Sequence, residues 1–268
     1  MKIPFTKAHG AGNDFLLTWI ADAPSDGLPE VARAICDRHT GVGADGWLLV
    51  ERASTAAGFD ASIRLFNADG SEPELSGNGT RCAAAFLLEA GAAQGPELRI
   101  ATGAGVKHLR LIARDGLRFE CEMNMGKPAY TERGLRRALP LSSGAPDAVE
   151  LCVGNPQCAV FVENFDFDWR KMGAEIESHP HFPNRTNVSF VRVVDAHTID
   201  VRFYERGVGE TMSSGTGSTG AAAATILRGL AESPVRVLTP AGPIDLRQEG
   251  DLYLTGPAVL NAGGEFYR

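Results

Sequence analysis

Two serine–glycine turns are the residues of this chain best suited to chemistry. Ser76-Gly77 lies in EPELSGNGTRCAAAF and Ser214-Gly215 in ETMSSGTGSTGAAAA, and each loop runs into an alanine-rich segment that predicts a helix. The first turn of a helix presents unpaired backbone N–H groups and the positive end of the helix dipole, and glycines let an anion approach them closely. Each turn is therefore a candidate site for a carboxylate or a phosphate.

The presence of two such turns suggests one shared ligand. If two similar domains brought both helix ends to that ligand, the serines would stand on opposite faces of one atom. This geometry suits removing a proton from one face of a stereocentre and returning it to the other, while the helix ends stabilise the developing negative charge. The alternative is that both serines only cap their helices. For one loop alone we favour capping; for the pair, with Asn78 and Thr216 following the glycines, we favour a site.

An internal repeat supports two domains. Residues 64–91 and 202–229 align without a gap at an offset of 138 residues, and nine of the 28 aligned pairs are identical. A weaker echo relates GAGND at 10–14 to VGNPQ at 153–157. Low complexity explains the paired alanines but not the paired arginines, glutamates and Ser-Gly turns. Short strand-like runs dominate the rest, with helices predicted at 29–39, 79–91 and 217–232, so the pattern indicates an α+β fold.

Composition excludes several classes of protein. The net charge of -7 and the pI near 5.4 argue against non-specific nucleic-acid binding. The N-terminus has no apolar core of the signal-peptide type and no run of about 18 apolar residues exists, so we expect no membrane association. Five cysteines without a CxxC pair suit free thiols and a cytoplasmic location. His179 and His181 lack further ligands at metal spacing, and no nucleotide motif is present, so we expect no metal and no cofactor.

The chain resembles the diaminopimelate epimerase family, cofactor-independent enzymes that interconvert LL- and meso-diaminopimelate for lysine and peptidoglycan precursors. The resemblance covers nearly the whole sequence. The matching motifs, in the family's order and spacing, are HGAGNDF (9–15), RHTGVGADG (38–46), RLFNADGSEPELSGNGTRC (64–82), GNPQC (154–158), FPNRTNVSFV (182–191), YERGVGETMSSGTGS (204–218) and LYLTGPAVL (252–260). FNADGSE and ERGxGET together are highly specific. The wider fold group includes proline racemase and the phenazine-biosynthesis isomerases.

The resemblance implies a fold and a way of working. Two pseudo-symmetric domains are expected, each a curled, mostly antiparallel sheet or barrel around a central helix. We expect residues 1–122 and 123–258 to form them, with the strand at 259–268 returning to the first domain. The activity implied is stereo-inversion at the α-carbon of a small amino-acid substrate, and a homodimer is one expectation for the assembly.

The resemblance also implies roles for individual residues. Ser76 and Ser214 occupy the two catalytic positions. The residues expected to bind substrate are Asn13, Asn67, Gly77, Asn78, Asn155, Asn187, Glu205, Arg206, Gly215 and Thr216. Of these, the glycine-loop residues match those that hold the reacting carboxylate, and a charged Arg206–Glu205 pair suits a carboxylate and an ammonium group. Cys82 and Cys158 match packing positions.

One departure from the family bears on the chemistry. The family has cysteine at both catalytic positions, where this chain has Ser76 and Ser214; it usually has histidine and glutamine where this chain has Gln157 and Gly46. A thiol ionises near pH 8.5, and a helix N-terminus lowers its pKa further, whereas a serine hydroxyl needs a neighbouring His or Lys to act as a base. Neither loop offers one nearby in sequence.

Three explanations of the serines compete. Natural divergence could have produced a slow epimerase, or a one-base isomerase or dehydratase acting on another amino acid; deliberate replacement of both thiols could trap a substrate complex; or the protein could only bind an amino acid. The changes at 46 and 157 favour natural divergence. A one-base enzyme would need another acid or base, and Asp14, Asp69 and Glu210 are the carboxylates in the motif loops, although such carboxylates more often cap backbone N–H groups.

Overall fold

A computed structural model describes residues 2–54 and 57–268. The chain divides into two compact units: Met1–Met123 together with Gly256–Arg268, and Asn124–Thr255. Four α-helices and a set of short, mostly antiparallel strands make up the described residues, which confirms the predicted α+β class.

The elements follow one another in a repeating order along the chain. The first elements are β1 (Lys2–Gly10), β2 (Asn13–Trp19), α1 (Leu28–Cys36), β3 (Gly46–Arg52), β4 (Ala61–Asn67), α2 (Gly77–Glu89), β5 (Glu97–Thr102), β6 (Gly105–Asp115) and β7 (Arg118–Gly126). They are followed by β8 (Ala129–Tyr130), β9 (Arg137–Ala138), β10 (Asp147–Cys152), β11 (Pro156–Phe161), α3 (Trp169–Glu177), β12 (Asn187–Asp195), β13 (Thr198–Glu205), β14 (Gly209–Thr211), α4 (Gly215–Leu227), β15 (Val235–Thr239), β16 (Gly242–Glu249) and β17 (Asp251–Tyr267). Short 3₁₀ helices cover Ile20–Asp22 and Gly134–Arg136.

The sheet connections of the first unit recur in the second. In the first unit, β1 pairs antiparallel with β2, β2 runs parallel to β3 through α1, β3 pairs antiparallel with β4, and β4 runs parallel to β5 through α2. In the second unit, β10, β11, α3, β12, β13, α4 and β15 repeat this order. A parallel pair requires a crossover, so the glycine-rich loop and its helix form the second crossover of each unit.

One helix occupies the centre of each unit. Residues Gly77–Leu87 of α2 are buried, as are Gly215–Thr225 of α4. Helix α2 contacts five strands, β1 to β5, and α4 contacts six. Both helices are rich in alanine and glycine, which lets the strands pass close around them. The predicted curled sheet around a central helix is confirmed.

The last strand returns to the first one. Residues 259–267 of β17 pair antiparallel with β1, from Val259 opposite His9 to Tyr267 opposite Lys2. The backbone N–H of Leu260 also donates to the carbonyl of Leu117. The described residues contain no helix long and apolar enough to cross a membrane.

Of the four α-helices in the described residues, α3 is the one that sequence analysis missed. It begins after Asp168, whose side chain accepts from the Lys171 N–H, and it contains Gly173. A glycine inside a helix lowers helix propensity by about 1 kcal/mol relative to alanine, which weakens the sequence pattern. The structure explains the glycine, because a Cβ at this position would lie 2.8 Å from the Cβ of Tyr204.

Candidate functional site

The two serine–glycine turns have the same local structure. Ser76 and Ser214 are the N-cap residues of α2 and α4, two helices of 13 residues that start 138 residues apart. Each serine has extended backbone angles (φ -127°, ψ 119° and φ -137°, ψ 123°), and its Oγ accepts from a glycine N–H at 3.0 Å. The capping alternative is therefore realised at both turns. It leaves each hydroxyl with its own proton to donate.

Capping leaves other donors at each helix start. The first backbone bonds of the two helices run from Thr80 N to Ser76 O and from Ser218 N to Ser214 O, both 2.9 Å. The N–H groups one and two residues after each serine precede these bonds and have no acceptor within their own helix. They belong to the residues predicted to hold a carboxylate, namely Gly77, Asn78, Gly215 and Thr216.

In the first unit, a chain of hydrogen bonds connects two of the predicted asparagines. Asn78 Nδ2 donates to Asn13 Oδ1 at 3.3 Å, and Asn13 Nδ2 donates to Asp45 Oδ2 at 2.7 Å. At the other end, Arg81 Nη2 donates to Asn78 Oδ1 at 2.6 Å. Arg81 is fully buried, and burial lowers the pKa of its guanidinium. Sequence analysis identified neither Arg81, which binds Asn78 three positions away, nor Asp45, which binds Asn13 across 32 positions.

Asp14, a candidate acid or base, belongs to an ionic cluster. Arg38 donates to both of its carboxylate oxygens at 3.2 and 2.7 Å, and Lys7 Nζ lies 3.1 Å away. Burial raises the pKa of Asp14, but the hydrogen bonds from Arg38 and Lys7 outweigh burial, so that the net pKa lies below its ordinary value. A carboxylate held ionised between two cations is a poor proton acceptor at neutral pH.

The other two candidate carboxylates are also engaged. Asp69 accepts from Ser71 N at 2.8 Å and from Ser71 Oγ at 2.6 Å, and the side-chain bond from Ser71 lowers its pKa. Glu210 is exposed and accepts two bonds from Arg170 at 2.5 and 2.7 Å. Asp69 closes a turn and Glu210 forms a surface ion pair, so neither placement favours catalysis.

Asn67 lies at the end of β4 and stabilises the same turn. Its backbone N–H donates to Ser71 O at 2.8 Å, and its Nδ2 donates to Ser71 Oγ at 3.0 Å. The side chain of Asn67 is half-buried. The turn therefore holds Asn67 at the carboxyl end of a strand that leads directly to the Ser76 loop.

The second unit repeats the contact between loop and asparagine. Asn155 Nδ2 donates to Thr216 Oγ1 at 3.3 Å, and Gln157 Nε2 donates to Asn155 Oδ1 at 2.6 Å. Asn78 and Thr216 are repeat partners. The residues before Asn13 and Asn155 are both glycines with positive φ, 78° at Gly12 and 90° at Gly154. The weaker sequence echo thus corresponds to equivalent contacts.

Buried polar atoms without partners gather near α4. Among the described residues, Gln157 Oε1, Ser213 Oγ and Ser218 Oγ are buried and accept or donate no hydrogen bond. In the first unit, the hydroxyl of Thr80, the repeat partner of Ser218, donates to Ser76 O at 2.7 Å. Buried polar groups are usually satisfied, so this end of α4 has room for additional hydrogen bonding, to water or to a ligand.

In the second unit, Asn187 at the start of β12 binds Arg206, which follows the end of β13. Asn187 is buried; its Oδ1 accepts from the Arg206 N–H and its Nδ2 donates to Pro156 O, both at 3.0 Å. Arg206 Nη1 reaches Asn184 O at 3.4 Å, and Glu205 Oε1 accepts from Thr211 Oγ1 at 2.8 Å. Glu205 and Arg206 are both half-buried, in agreement with a role at a partly enclosed site.

Glu177 holds these two loops and was missed from the sequence. It is 2% exposed at the end of α3. Its Oε1 accepts from Gly207 N at 3.0 Å, its Oε2 from Arg185 Nη2 at 2.5 Å, and its backbone carbonyl from Thr186 N at 3.1 Å. Nothing in the sequence distinguishes this glutamate from the exposed ones around it.

The cysteines lie in packing positions. Burial raises the pKa of Cys82 and of Cys158 to about 12, so both stay protonated at neutral pH. Within residues 2–54 and 57–268, no group of three or more His, Cys, Asp or Glu side chains could hold a metal ion.

Comparisons with known proteins agree with these features. A family model described as "Diaminopimelate epimerase" matches residues 5–131 and 151–261. A diaminopimelate epimerase from Nitrosospira multiformis is 40% identical over 278 aligned positions, covering 99% of this chain and 98% of the relative. One from Moorella thermoacetica is 39% identical over 282 positions, covering 98% of each chain.

Solved structures share the fold at low identity. A hydroxyproline epimerase from Agrobacterium vitis has a TM-score of 0.75 at 17% identity, covering 98% of this chain and 92% of that one. A phenazine biosynthesis protein of the PhzF family from Bacillus anthracis has a TM-score of 0.72 at 18% identity, covering 99% of both chains.

Proposed function

This chain belongs to the diaminopimelate epimerase family, and we propose that it inverts the α-carbon of diaminopimelate without a cofactor. The family match spans most of both units, and the relatives align over nearly their whole length. These relationships favour epimerisation over the alternatives of amino-acid binding alone or altered one-base chemistry. The engagement of Asp14, Asp69 and Glu210 in ion pairs and turns also disfavours a one-base enzyme that depends on them.

The observation that carries this proposal is the matched pair of serine-capped helix starts. In the proposed mechanism, the free N–H groups after Ser76 and Ser214 bind the reacting carboxylate and stabilise the negative charge that spreads onto it when the α-proton leaves. One of the two side chains accepts the proton and the other supplies a proton to the opposite face. Asn67, Asn187, Glu205 and Arg206 are proposed to bind the end of the substrate that does not react.

The serines make this chemistry slow in our proposal. Each Oγ already accepts an N–H hydrogen bond, and in the described part of the chain neither hydroxyl bonds to a His or Lys side chain. A hydroxyl without a base is rarely ionised at neutral pH. In this proposal, the helix starts bind the carboxylate well, but the serine hydroxyls transfer the α-proton slowly.

The experiment is α-proton exchange in D2O with LL- and with meso-diaminopimelate, followed by NMR or mass spectrometry. Exchange with inversion supports the epimerase proposal. Exchange without inversion indicates one working base. Binding without exchange indicates a site that recognises the substrate but does not react, and absence of binding would contradict the proposal.

The location and assembly are further proposals. We propose a cytoplasmic protein, a location supported by five cysteines that form no disulfide among the described residues. We also propose a homodimer, which sedimentation equilibrium would test.

A further inference from the structure

The hydrogen-bond chain in the first unit has a fixed direction. It runs from Arg81 through Asn78 and Asn13 to Asp45, over distances of 2.6, 3.3 and 2.7 Å. A guanidinium has only donors, and a carboxylate has only acceptors. Because the two ends cannot exchange roles, each amide between them must turn its oxygen toward Arg81 and its nitrogen toward Asp45.

This direction decides what the two asparagines can offer a ligand. Each amide uses Oδ1 and one of its two N–H bonds within the chain, so the hydrogen that remains on Nδ2 is a donor. Asn78 also lies in the first turn of α2, where backbone N–H groups are directed outward. Asn78 therefore adds a side-chain donor to the same helix turn that holds the unpaired backbone donors, an arrangement that suits a carboxylate.

Arg81 adds a charge to this arrangement. It is fully buried, and its other contacts are to the backbone oxygens of Gly77 at 3.3 Å and Pro257 at 3.4 Å. Within the described residues no carboxylate acts on the pKa of its guanidinium. A buried cation beneath the first turn of α2 strengthens the attraction of that helix end for an anion.

The equivalent chain in the second unit lacks charged ends. It connects Gln157, Asn155 and Thr216, and the amide and hydroxyl at its ends can each donate or accept. Thr219, the repeat partner of Arg81, donates to the Gly215 carbonyl at 2.8 Å. The donors and acceptors of the second hydrogen-bond chain can therefore exchange roles. Only the first unit fixes its asparagine side chains as donors.

We propose that Arg81 and Asp45 are positioning residues that hold Asn13 and Asn78 as hydrogen-bond donors and make the first unit select a carboxylate over the corresponding neutral amide. The proposal rests on the proposed function only for the identity of the carboxylate, which is the reacting one of diaminopimelate. It predicts an asymmetry between the two units, in which the first binds the charge and the second adapts to it.

Selectivity is the first test. The dissociation constants of meso-diaminopimelate and of its mono-α-carboxamide are measured by calorimetry for the wild-type chain, Arg81→Met and Arg81→Lys. Arg81→Met removes the charge and the donors at similar length, and we expect the preference for the carboxylate to fall about tenfold or more. Arg81→Lys keeps a cation with donors only and should keep most of the preference. An unchanged preference in a folded Arg81→Met protein would overturn the proposal.

A second variant covers the case in which Arg81→Met does not fold. Asp45→Asn gives the other end of the chain a donor, and we expect it to lower the same preference. Asp37→Asn is the matched control, because Asp37 lies between α1 and β3, as Asp45 does, and accepts bonds from the backbone N–H groups of His39 and Thr40 at 2.8 and 2.6 Å. If Asp45→Asn and Asp37→Asn showed equal preferences for the carboxylate over the amide, the result would count against the oriented hydrogen-bond chain.

A measurement on the protein without substrate tests the hydrogen-bond chain independently of the proposed function. The side-chain amide protons of Asn13 and Asn78 are followed by ¹⁵N–¹H NMR in the free protein. We expect slow hydrogen exchange in the wild type and in Asp37→Asn, and faster exchange in Asp45→Asn. If diaminopimelate does not bind but this pattern holds, the proposed substrate is wrong and the oriented chain stands. If exchange is the same in all three proteins, the chain is not oriented as proposed.

Discussion

Removing the Glu177 carboxylate should loosen the two loops that hold Asn187 and Arg206. Glu177 binds the Gly207 N–H on one side and Arg185 on the other, from the end of α3. The hydrogen bond from the Arg206 N–H to Asn187 Oδ1 lies next to the first of these contacts along the chain. Glu177→Ala deletes both carboxylate contacts, whereas Glu177→Gln keeps an oxygen for Gly207 and turns an NH2 group toward Arg185.

The cost of each change follows from the burial of its partners. A hydrogen bond to a buried charge is worth about 1.5–3 kcal/mol, which applies to Gly207. The Arg185 side chain is 53% exposed, so its ion pair is screened and contributes at most about 1 kcal/mol. We therefore expect Glu177→Ala to destabilise the protein by about 2–4 kcal/mol and Glu177→Gln by about 1 kcal/mol or less, because Arg185 can turn to solvent.

The functional effect should appear mainly in substrate binding. If the Gly207 contact holds the loop in its binding conformation, its loss in Glu177→Ala should raise KM for diaminopimelate about tenfold, the equivalent of about 1.4 kcal/mol, with a smaller change in kcat. The assays are thermal unfolding and steady-state epimerisation, or calorimetric binding if turnover is too slow.

Glu175→Gln is the matched control for this prediction. Glu175 lies on the same helix and binds Ser142 through N and Oγ, at 2.6 and 2.7 Å, away from the Asn187 and Arg206 loops. It should leave KM unchanged. A Glu177→Ala protein with wild-type stability and KM, or a Glu175→Gln protein with the same rise in KM, would refute the reasoning.

Three further predictions address the helix starts and their surroundings. Ser76→Cys with Ser214→Cys should raise epimerisation by about 10²- to 10⁴-fold, because it supplies groups that ionise near neutral pH, whereas two cysteines placed at Ser62 and Ser178 should not; an absence of gain in the first variant would contradict the two-base mechanism. Because the pKa of Asp14 is lowered on folding, its contribution to stability is present at neutral pH and is lost as pH falls below about 4; in thermal unfolding, Asp14→Asn should lower the midpoint at pH 7 and reduce its fall toward pH 3. Thr216→Val should weaken diaminopimelate binding about tenfold by leaving the Asn155 amide without its acceptor, and Thr216→Ser should bind like the wild type in calorimetry.

The repeat predicted the central helices well, and the errors at their starts have a physical cause. The sequence placed them at 79 and 217, whereas they begin at Gly77 and Gly215. Glycine has low helix propensity, so the pattern assigned these residues to the loop. In the structure, these glycines form the first turn of each helix, because the preceding serine caps the helix and the turn is buried.

Identity within the repeat did not predict ion pairs. Arg64 binds Glu72 through two bonds of 2.9 and 3.0 Å, but their repeat partners do not bind each other in the same way. Arg202 binds Asp200, while Glu210 binds Arg170 of α3, the helix that sequence analysis missed. Exposed ion pairs contribute little free energy, so a nearby alternative partner can replace the original one.

Two of the residues that sequence analysis overlooked, Asp45 and Glu177, act through long-range contacts. Asp45 is 32 positions from Asn13, and Glu177 is 30 positions from Gly207. Neither stands in a serine–glycine loop, and their residue types are common on protein surfaces. Their roles follow from burial and from donor and acceptor pairing, which a single sequence does not show.

The pairing of β1 with residues 259–267 has a consequence for the order of folding. The ion pair between Lys2 and Glu265 spans 263 positions, so β1 obtains this neighbour only after nearly all of the chain described here has been synthesised. During translation, β1 can pair with β2 but has an open edge, and such edges favour association between nascent chains. The first unit is thus started early and completed late, because its last strand follows the whole second unit along the chain.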